Sequence, residues 1–247
     1  MKYRIGAPVA LLTVIGFSFA GYSNLPREGI AASYTTPLGG RNRSQRHNAL
    51  LALHSLDGAV VKTGEEFSFN KRVGTFSRDQ GYRRAPVSYN GQLIDDWGGG
   101  VCQASTTLYN TALLAGMQIT ERHHHEFCPS YVPPGRDAAV AYSSIDLRFR
   151  NPYPFPMRIH SFIDHDRIRI DFISAHPLPV RPEVIQQVNE VQEPATFVLG
   201  RPGRAARVRN SGKEGCDVSV YRITDGRREL ISSDEYPVMN RVVQYRD

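Results

Sequence analysis

The stretch Trp97-Gly98-Gly99-Gly100-Val101-Cys102-Gln103-Ala104-Ser105-Thr106-Thr107-Leu108-Tyr109-Asn110 joins a glycine run to a cysteine and turns helical at once. Beyond Cys102, the apolar positions Leu108, Ala112 and Ala115 recur at helical spacing, with Leu113 and Leu114 beside them. The spacing predicts a helix from the cysteine to about Ala115, with Gly116 as its C-terminal cap. A thiol at the head of a helix meets unpaired N–H groups and the positive end of the helix dipole. Both favour the thiolate, the nucleophilic form of cysteine. Three glycines permit backbone shapes closed to other residues and let a substrate chain come close. The same string also fits a glycine hinge ahead of a helix that carries a buried, inert cysteine.

Upstream, Ser44 to Leu56 has helical spacing through Ala49, Leu50, Ala52, Leu53 and Leu56. Asp57-Gly58 breaks that pattern, and Ala59-Val60-Val61 starts a strand. Glu66-Phe67-Ser68-Phe69-Asn70 alternates as a half-buried strand would, and 71–101 reads as a long irregular, functional stretch. Downstream, Gln118-Ile119-Thr120 starts a strand. Val140-Ala141-Tyr142, Ile145–Phe149, Met157–His160 and Ile168–Phe172 alternate, with a hairpin turn at Asp164-His165-Asp166. Pro177, Pro179 and Pro182 end the sheet, and short strands such as Val218–Tyr221 and Val242–Tyr245 follow. The class expected is α+β: an antiparallel or mixed β-sheet packed against a few helices, with a β-rich C-terminal part. The expected divisions are an export segment over 1–20, a linker over 21–43, the main domain over 44–182 and an extension or small module over 183–247.

Lys2 and Arg4 precede an apolar run from Ile5 to Ala20 that ends in Ser18-Phe19-Ala20, the outline of a signal peptide or an uncleaved N-terminal anchor. The chain has 247 residues, 40% hydrophobic and 22% charged, which excludes a disordered chain and a multi-span membrane protein. A net charge of +6 suits an anionic partner, but the arginines are scattered and no nucleic-acid partner is expected. Three cysteines, Cys102, Cys128 and Cys216, are an odd count for an exported chain. Pairing Cys128 with Cys216 leaves Cys102 free, whereas pairing Cys102 with Cys128 removes the nucleophile. Sequence leaves both open.

Glu121-Arg122-His123-His124-His125 supplies a second chemical element. A histidine beside a helix-terminal cysteine can serve as general base or form a thiolate–imidazolium pair. On a strand His123 and His125 share a face and His124 points away. The cysteines and histidines show no second pair at zinc-like spacing, so neither metal nor cofactor is expected.

Taken together, several strings resemble the VanW-like domain family. They are Phe67-Ser68-Phe69-Asn70, Gly81-Tyr82, the Gly98–Asn110 string, Glu121-Arg122 with His125, Tyr131-Val132-Pro133-Pro134-Gly135-Arg136-Asp137-Ala138 and Asp146–Asn151. The likeness runs from about Arg43 to Ile159 and more weakly to Phe172. It implies an exported bacterial cell-envelope protein working on peptidoglycan stem peptides, secreted or attached to the membrane by its N-terminus. Some members are identified as cysteine-dependent L,D-transpeptidases. On that pattern Cys102 is the nucleophile and His125 its base. Asp137 or Asp146 orients the imidazole, with Asp137 preferred. The backbone N–H groups of Cys102 and Gln103 are the expected oxyanion donors. Trp97, Gly99, Gly100, Thr106, Tyr109 and Arg122 are expected to bind substrate. One position departs from the family: Glu126 stands where a serine commonly follows the histidine. The competing expectation is a non-catalytic accessory protein that binds peptidoglycan or a glycopeptide. The sequence does not specify an oligomeric state.

Overall fold

The computed structural model describes residues 28–89, 92–142, 144–200 and 206–245. The expected export segment over 1–20 lies outside them. No helix among the described residues is long and apolar enough to cross a membrane. In chain order the first elements are β1 (Gly29–Pro37), α1 (Arg43–Leu56), β2 (Val60–Val61), β3 (Glu66–Ser68), α2 (Phe69–Val73), β4 (Arg84–Tyr89), β5 (Gln92–Trp97) and α3 (Val101–Leu114). They are followed by β6 (Gln118–Glu121), β7 (Arg148–Arg150), β8 (Met157–Asp164) and β9 (Arg167–Ser174). The C-terminal unit holds β10 (Glu183–Gln192), β11 (Thr196–Leu199), β12 (Ala206–Lys213), β13 (Gly215–Thr224), β14 (Arg227–Tyr236) and β15 (Met239–Tyr245).

Helix α1 starts at a reciprocal capping box. Asn42 Oδ1 accepts the Gln45 N–H at 2.8 Å, and Gln45 Oε1 accepts the Asn42 N–H at 3.2 Å. Its Ala49, Ala52, Leu53 and Leu56 face the core. Helix α3 is enclosed on all sides. Of residues 101–113, Cys102 alone is not buried. Both helices lie on a four-stranded antiparallel sheet of order β1-β9-β8-β2, and Leu108, Phe149, Ile159, Ile170 and Phe172 fill the space between. The β8–β9 hairpin turns at His165-Asp166, with His165 in the left-handed region (φ 52°). The class is thus α+β, with a C-terminal unit of two three-stranded sheets, β10-β13-β14 and β11-β15-β12.

Four local expectations need correction. The expected linker holds β1, which is antiparallel to β9 from Gly29 to Pro37. Its small residues Ala31, Ala32 and Ser33 give no apolar alternation, so the strand is set by its partner rather than by its own propensity. Phe69 and Asn70 begin α2 instead of ending a strand, because the Ser68 side chain accepts the Lys71 N–H and caps the helix. The supposed irregular stretch 71–101 contains the β4–β5 hairpin. Val140–Tyr142 makes only an isolated bridge, Ala141 to Ile145, and the strand after it is shortened to Arg148–Arg150.

The glycine run is shaped by the chain's own backbone. A Cβ on Gly99 would stand 2.6 Å from the Pro86 carbonyl oxygen, and one on Gly100 would stand 2.3 Å from the Gln45 carbonyl oxygen. Gly100 also has φ +109°. The expectation that Gly99 and Gly100 receive substrate is therefore corrected: β4 and α1 occupy the space their missing side chains leave. Gly100→Ala is expected to destabilise the fold by about 2–4 kcal/mol, the sum of overpacking and left-handed strain. The urea midpoint at unchanged slope measures it.

Candidate active site

Three elements converge on Cys102. Asn48, buried on α1, fixes the loop ahead of it: its Nδ2 donates to the Arg83 carbonyl (2.8 Å) and the Gly99 carbonyl (2.9 Å), and its Oδ1 accepts the Arg83 N–H (2.8 Å). Helix α3 then begins at Gly100 with no side-chain cap and no acidic residue in its first turn, so the dipole's positive end meets the thiol alone. The same helix holds the segment opposite. Ser105 Oγ donates to the Ala138 carbonyl at 2.7 Å, and Thr106 Oγ1 accepts the Ala138 N–H at 3.0 Å. Asn110 Nδ2 donates to the Arg136 carbonyl at 2.7 Å and its Oδ1 accepts Arg136 Nε at 2.6 Å. Asp137 lies between these anchors.

The imidazole of His125 stands between Asp137 and Cys102. Its Nδ1 donates to Asp137 Oδ2 at 2.6 Å, and the same oxygen accepts the His125 backbone N–H at 2.7 Å. The ring is also close enough to Cys102 for each group to act on the ionisation of the other, and with Nδ1 engaged by Asp137 the nitrogen left for the thiol is Nε2. Cys102 Sγ lies 3.4 Å from the Val140 carbonyl. Burial disfavours the imidazolium, but the bond to Asp137 and the nearby Cys102 outweigh it and raise the His125 pKa to about 10. Burial likewise pushes the Cys102 thiol up, and His125 overrides it, so the thiol is more acidic than usual. Asp137 is fully buried, which alone would raise its pKa. His125 and Arg122 instead hold it down at about 2. Both directions shift the proton from the thiol toward the imidazole, beside an ionised carboxylate, which is the arrangement that chemistry by a thiolate on a carbonyl would need.

The other expected site residues lie elsewhere. Asp146 caps α2, accepting Ser68 Oγ (2.5 Å) and the Asn70 N–H (2.8 Å), and does not meet His125. His123 pairs with Glu121 Oε1 at 3.1 Å, and exposed His124 stands edge-on to Tyr236. The histidines are not on a continuous strand, since β6 ends at Glu121 and only His123 bridges, to Ala139. Three side chains expected to bind substrate are corrected. Tyr109 is 0% exposed in the core. Thr106 is buried and spent on Ala138. Arg122, with a 6% exposed side chain, is shared by Asp137 and Asp234. Trp97 alone of the expected lining side chains is exposed, at the end of β5. The Gln103 N–H already donates to the Gly100 carbonyl at 3.2 Å, and the Gln103 side chain is bound by Arg41, Thr36 and Pro37. That leaves the Cys102 N–H, which has no partner among the described residues, as the open donor of the expected pair. Glu126, the position that departs from the family, is exposed.

Sequence reading missed Asn48, Asn110, Tyr131, Asp234 and Tyr236. Tyr131 OH reaches the Cys102 carbonyl at 3.5 Å beneath the Arg41 guanidinium. Asn48 and Asn110 are polar residues set within apolar helical faces, a pattern that signals buried hydrogen-bonding duty. Nothing local marks Asp234 or Tyr236.

A helix-borne thiol, an imidazole and a buried carboxylate on an α+β scaffold define a cysteine–histidine centre. The family described as "VanW like protein" matches residues 44–173, and the chain belongs to it. Over 128 residues it is 43% identical to the uncharacterized protein YoaR of Bacillus subtilis (strain 168), covering 52% of this chain and 42% of that one. Over 126 residues it is 32% identical to the vancomycin B-type resistance protein VanW of Enterococcus faecalis (strain ATCC 700802 / V583), covering 49% and 46%. The match spans less than half the length of either relative. Among solved structures, the IgA1 protease G5 domain aligns at 21% identity and TM-score 0.18, covering 26% of this chain and 89% of that one. HP0197-G5 aligns at 19% and 0.17, covering 26% and 92%.

Proposed function

We propose that the chain is an exported, cysteine-dependent acyl transferase of the L,D-transpeptidase type, acting on peptidoglycan stem peptides. The observation that carries this is the bond from His125 Nδ1 to Asp137 at 2.6 Å, which leaves Nε2 free to serve the nearby Cys102 thiol. Membership of the VanW-like family, with a vancomycin-resistance protein among its relatives, supports the wall peptide as the substrate class. Cys102 Sγ attacks the carbonyl that joins an L- to a D-centre, with the developing oxyanion at the Cys102 N–H. The C–N bond breaks, the amine leaves with the His125 Nε2 proton, and a thioester remains. The amine of a second stem, losing a proton to His125, then forms the new amide and frees the thiolate. Water in its place gives a carboxypeptidase. The N-terminal segment 1–20 exports or anchors the chain.

The test is incubation of the purified chain with tetrapeptide muropeptides under reducing conditions, followed by mass spectrometry of products and protein. A cross-linked dimer or a trimmed tripeptide, with an acyl mass trapped on the Cys102 peptide, is expected. Peptide binding without turnover and without that adduct would establish the accessory-protein reading instead.

A further inference from the structure

From the C-terminal unit, beyond the family-matched segment, Asp137 takes one direct partner, Tyr236, and a second, Asp234, that reaches it through Arg122. Tyr236 OH, on β14, accepts the Gly135 N–H at 3.0 Å, which directs its own proton to Asp137 Oδ1 at 2.5 Å. Burial, and then Asp137 itself, push the Tyr236 hydroxyl far up, so it remains a donor. Arg122 bridges two carboxylates. Its Nη2 donates to Asp137 Oδ1 at 3.0 Å, its Nε to the Asp137 carbonyl at 2.7 Å, and its Nη1 to both oxygens of Asp234 at 2.6 Å. Asp234 also lies on β14, with its side chain 5% exposed.

We infer that Tyr236 and Asp234 are positioning residues of the Cys102–His125 centre, which makes the C-terminal β-unit a working part of the site rather than an appended module. The inference rests on the thiol–imidazole reading of that site. The docking surface supports it. Among the described residues of 183–245, the buried apolar side chains are Val218, Val220 and Tyr236. Val218 and Tyr236 cluster with Cys128, and Val220 packs so closely on Gly135 (φ +77°) that a Cβ there would stand 2.5 Å from it. Arg222 Nη1 adds a bond to the Met117 carbonyl at 2.6 Å. The unit's small apolar patch is thus spent on the loop that carries Asp137.

The two residues act in opposite senses. Asp234 draws part of the guanidinium charge away from Asp137, which leaves Asp137 basic enough to hold the imidazolium. Tyr236 stabilises the Asp137 carboxylate and restrains that basicity. The charged and titratable groups around the pair are few. His125, Arg122 and Tyr236 face Asp137, and His124 and Cys128 lie against Tyr236. Tyr109 on α3 and Asp234 face Arg122. Cys102 faces His125, with Tyr131 beside Cys102.

The test titrates the His125 ring in the full-length chain by NMR, its signal identified by its loss in His125→Gln. Asp234→Asn is expected to move the midpoint down by about half to one pH unit, and Tyr236→Phe to move it up by about the same amount. A merely structural role moves neither midpoint, or moves both the same way through loosening, and either result overturns the inference. Asp234→Asn alone decides it, by the downward shift, if Tyr236→Phe does not fold. Turnover is not read. Cys102→Ser tests the underlying pair separately: an unchanged His125 midpoint in that variant refutes the thiol–imidazole reading itself.

Discussion

Asp137→Asn is expected to lower stem-peptide turnover by about 10³- to 10⁴-fold, the size of loss that follows when an imidazole is left in the wrong tautomer. Asparagine matches the volume of aspartate and can still accept from Tyr236 and Arg122, so the fold is retained. The carboxylate, however, does two things an amide cannot. It accepts the Nδ1 proton at 2.6 Å, and its charge opposes the burial that would otherwise keep the imidazole neutral. An amide NH₂ turned to Nδ1 would place the ring proton on Nε2, against the thiol, and the ring could no longer take a proton from Cys102. The His125 pKa then falls, and the Cys102 thiol, pushed up by burial, loses the cation that holds it down. The alkylation rate of Cys102 at neutral pH should fall with turnover, which separates lost thiolate from lost substrate binding. Unchanged alkylation alongside lost turnover would show that Asp137 acts on substrate and not on the pair.

The main outline of this centre is legible in sequence because it is local. Cys102 announces itself by the glycine run before it and the helical spacing after it, and both helices and the β8–β9 hairpin follow from periodicity. Gly99 and Gly100 are legible as special, but not for the right reason. What they admit is the backbone at Pro86 and Gln45, contacts 13 and 55 residues away. Tyr109 and Thr106 illustrate the converse limit. A helix wholly enclosed by β1, β9 and α1 has no solvent face, so position relative to Cys102 does not tell lining from core. Strand β1 is hidden because its small residues take their register from β9. Asp234 and Tyr236 are hidden because their meaning lies about a hundred residues away, at Arg122 and Asp137. Alternation along β14 reveals only that alternate residues share a face.

Arg122→Met carries the largest expected loss of stability. The arginine lies between two carboxylates whose side chains are 0% and 5% exposed, and methionine matches its stem while removing the charge. Breaking a buried charge cluster from one side strands what remains, at a cost of about 3–5 kcal/mol. The dependence on pH has a definite sign. In the wild type the folded Asp137 pKa of about 2 lies below its unfolded value of about 3.9, so its contribution is complete above pH ~4 and is lost as pH falls through ~2. Without Arg122, burial regains weight against His125 and the folded pKa rises. At neutral pH the variant bears the full repulsion between Asp137 and Asp234. On acidification, a proton taken up by the fold relieves it. The deficit relative to wild type should therefore be greatest near pH 7 and shrink toward pH 4.5, read as the difference in unfolding free energy from urea titrations at the two pH values. Arg122→Lys, which keeps the charge but loses the fork to Asp137 and Asp234, should fall between the two chains. A deficit that is equal at both pH values would assign Arg122 a packing role only. It would also detach the C-terminal unit from the electrostatics of the Cys102–His125 pair.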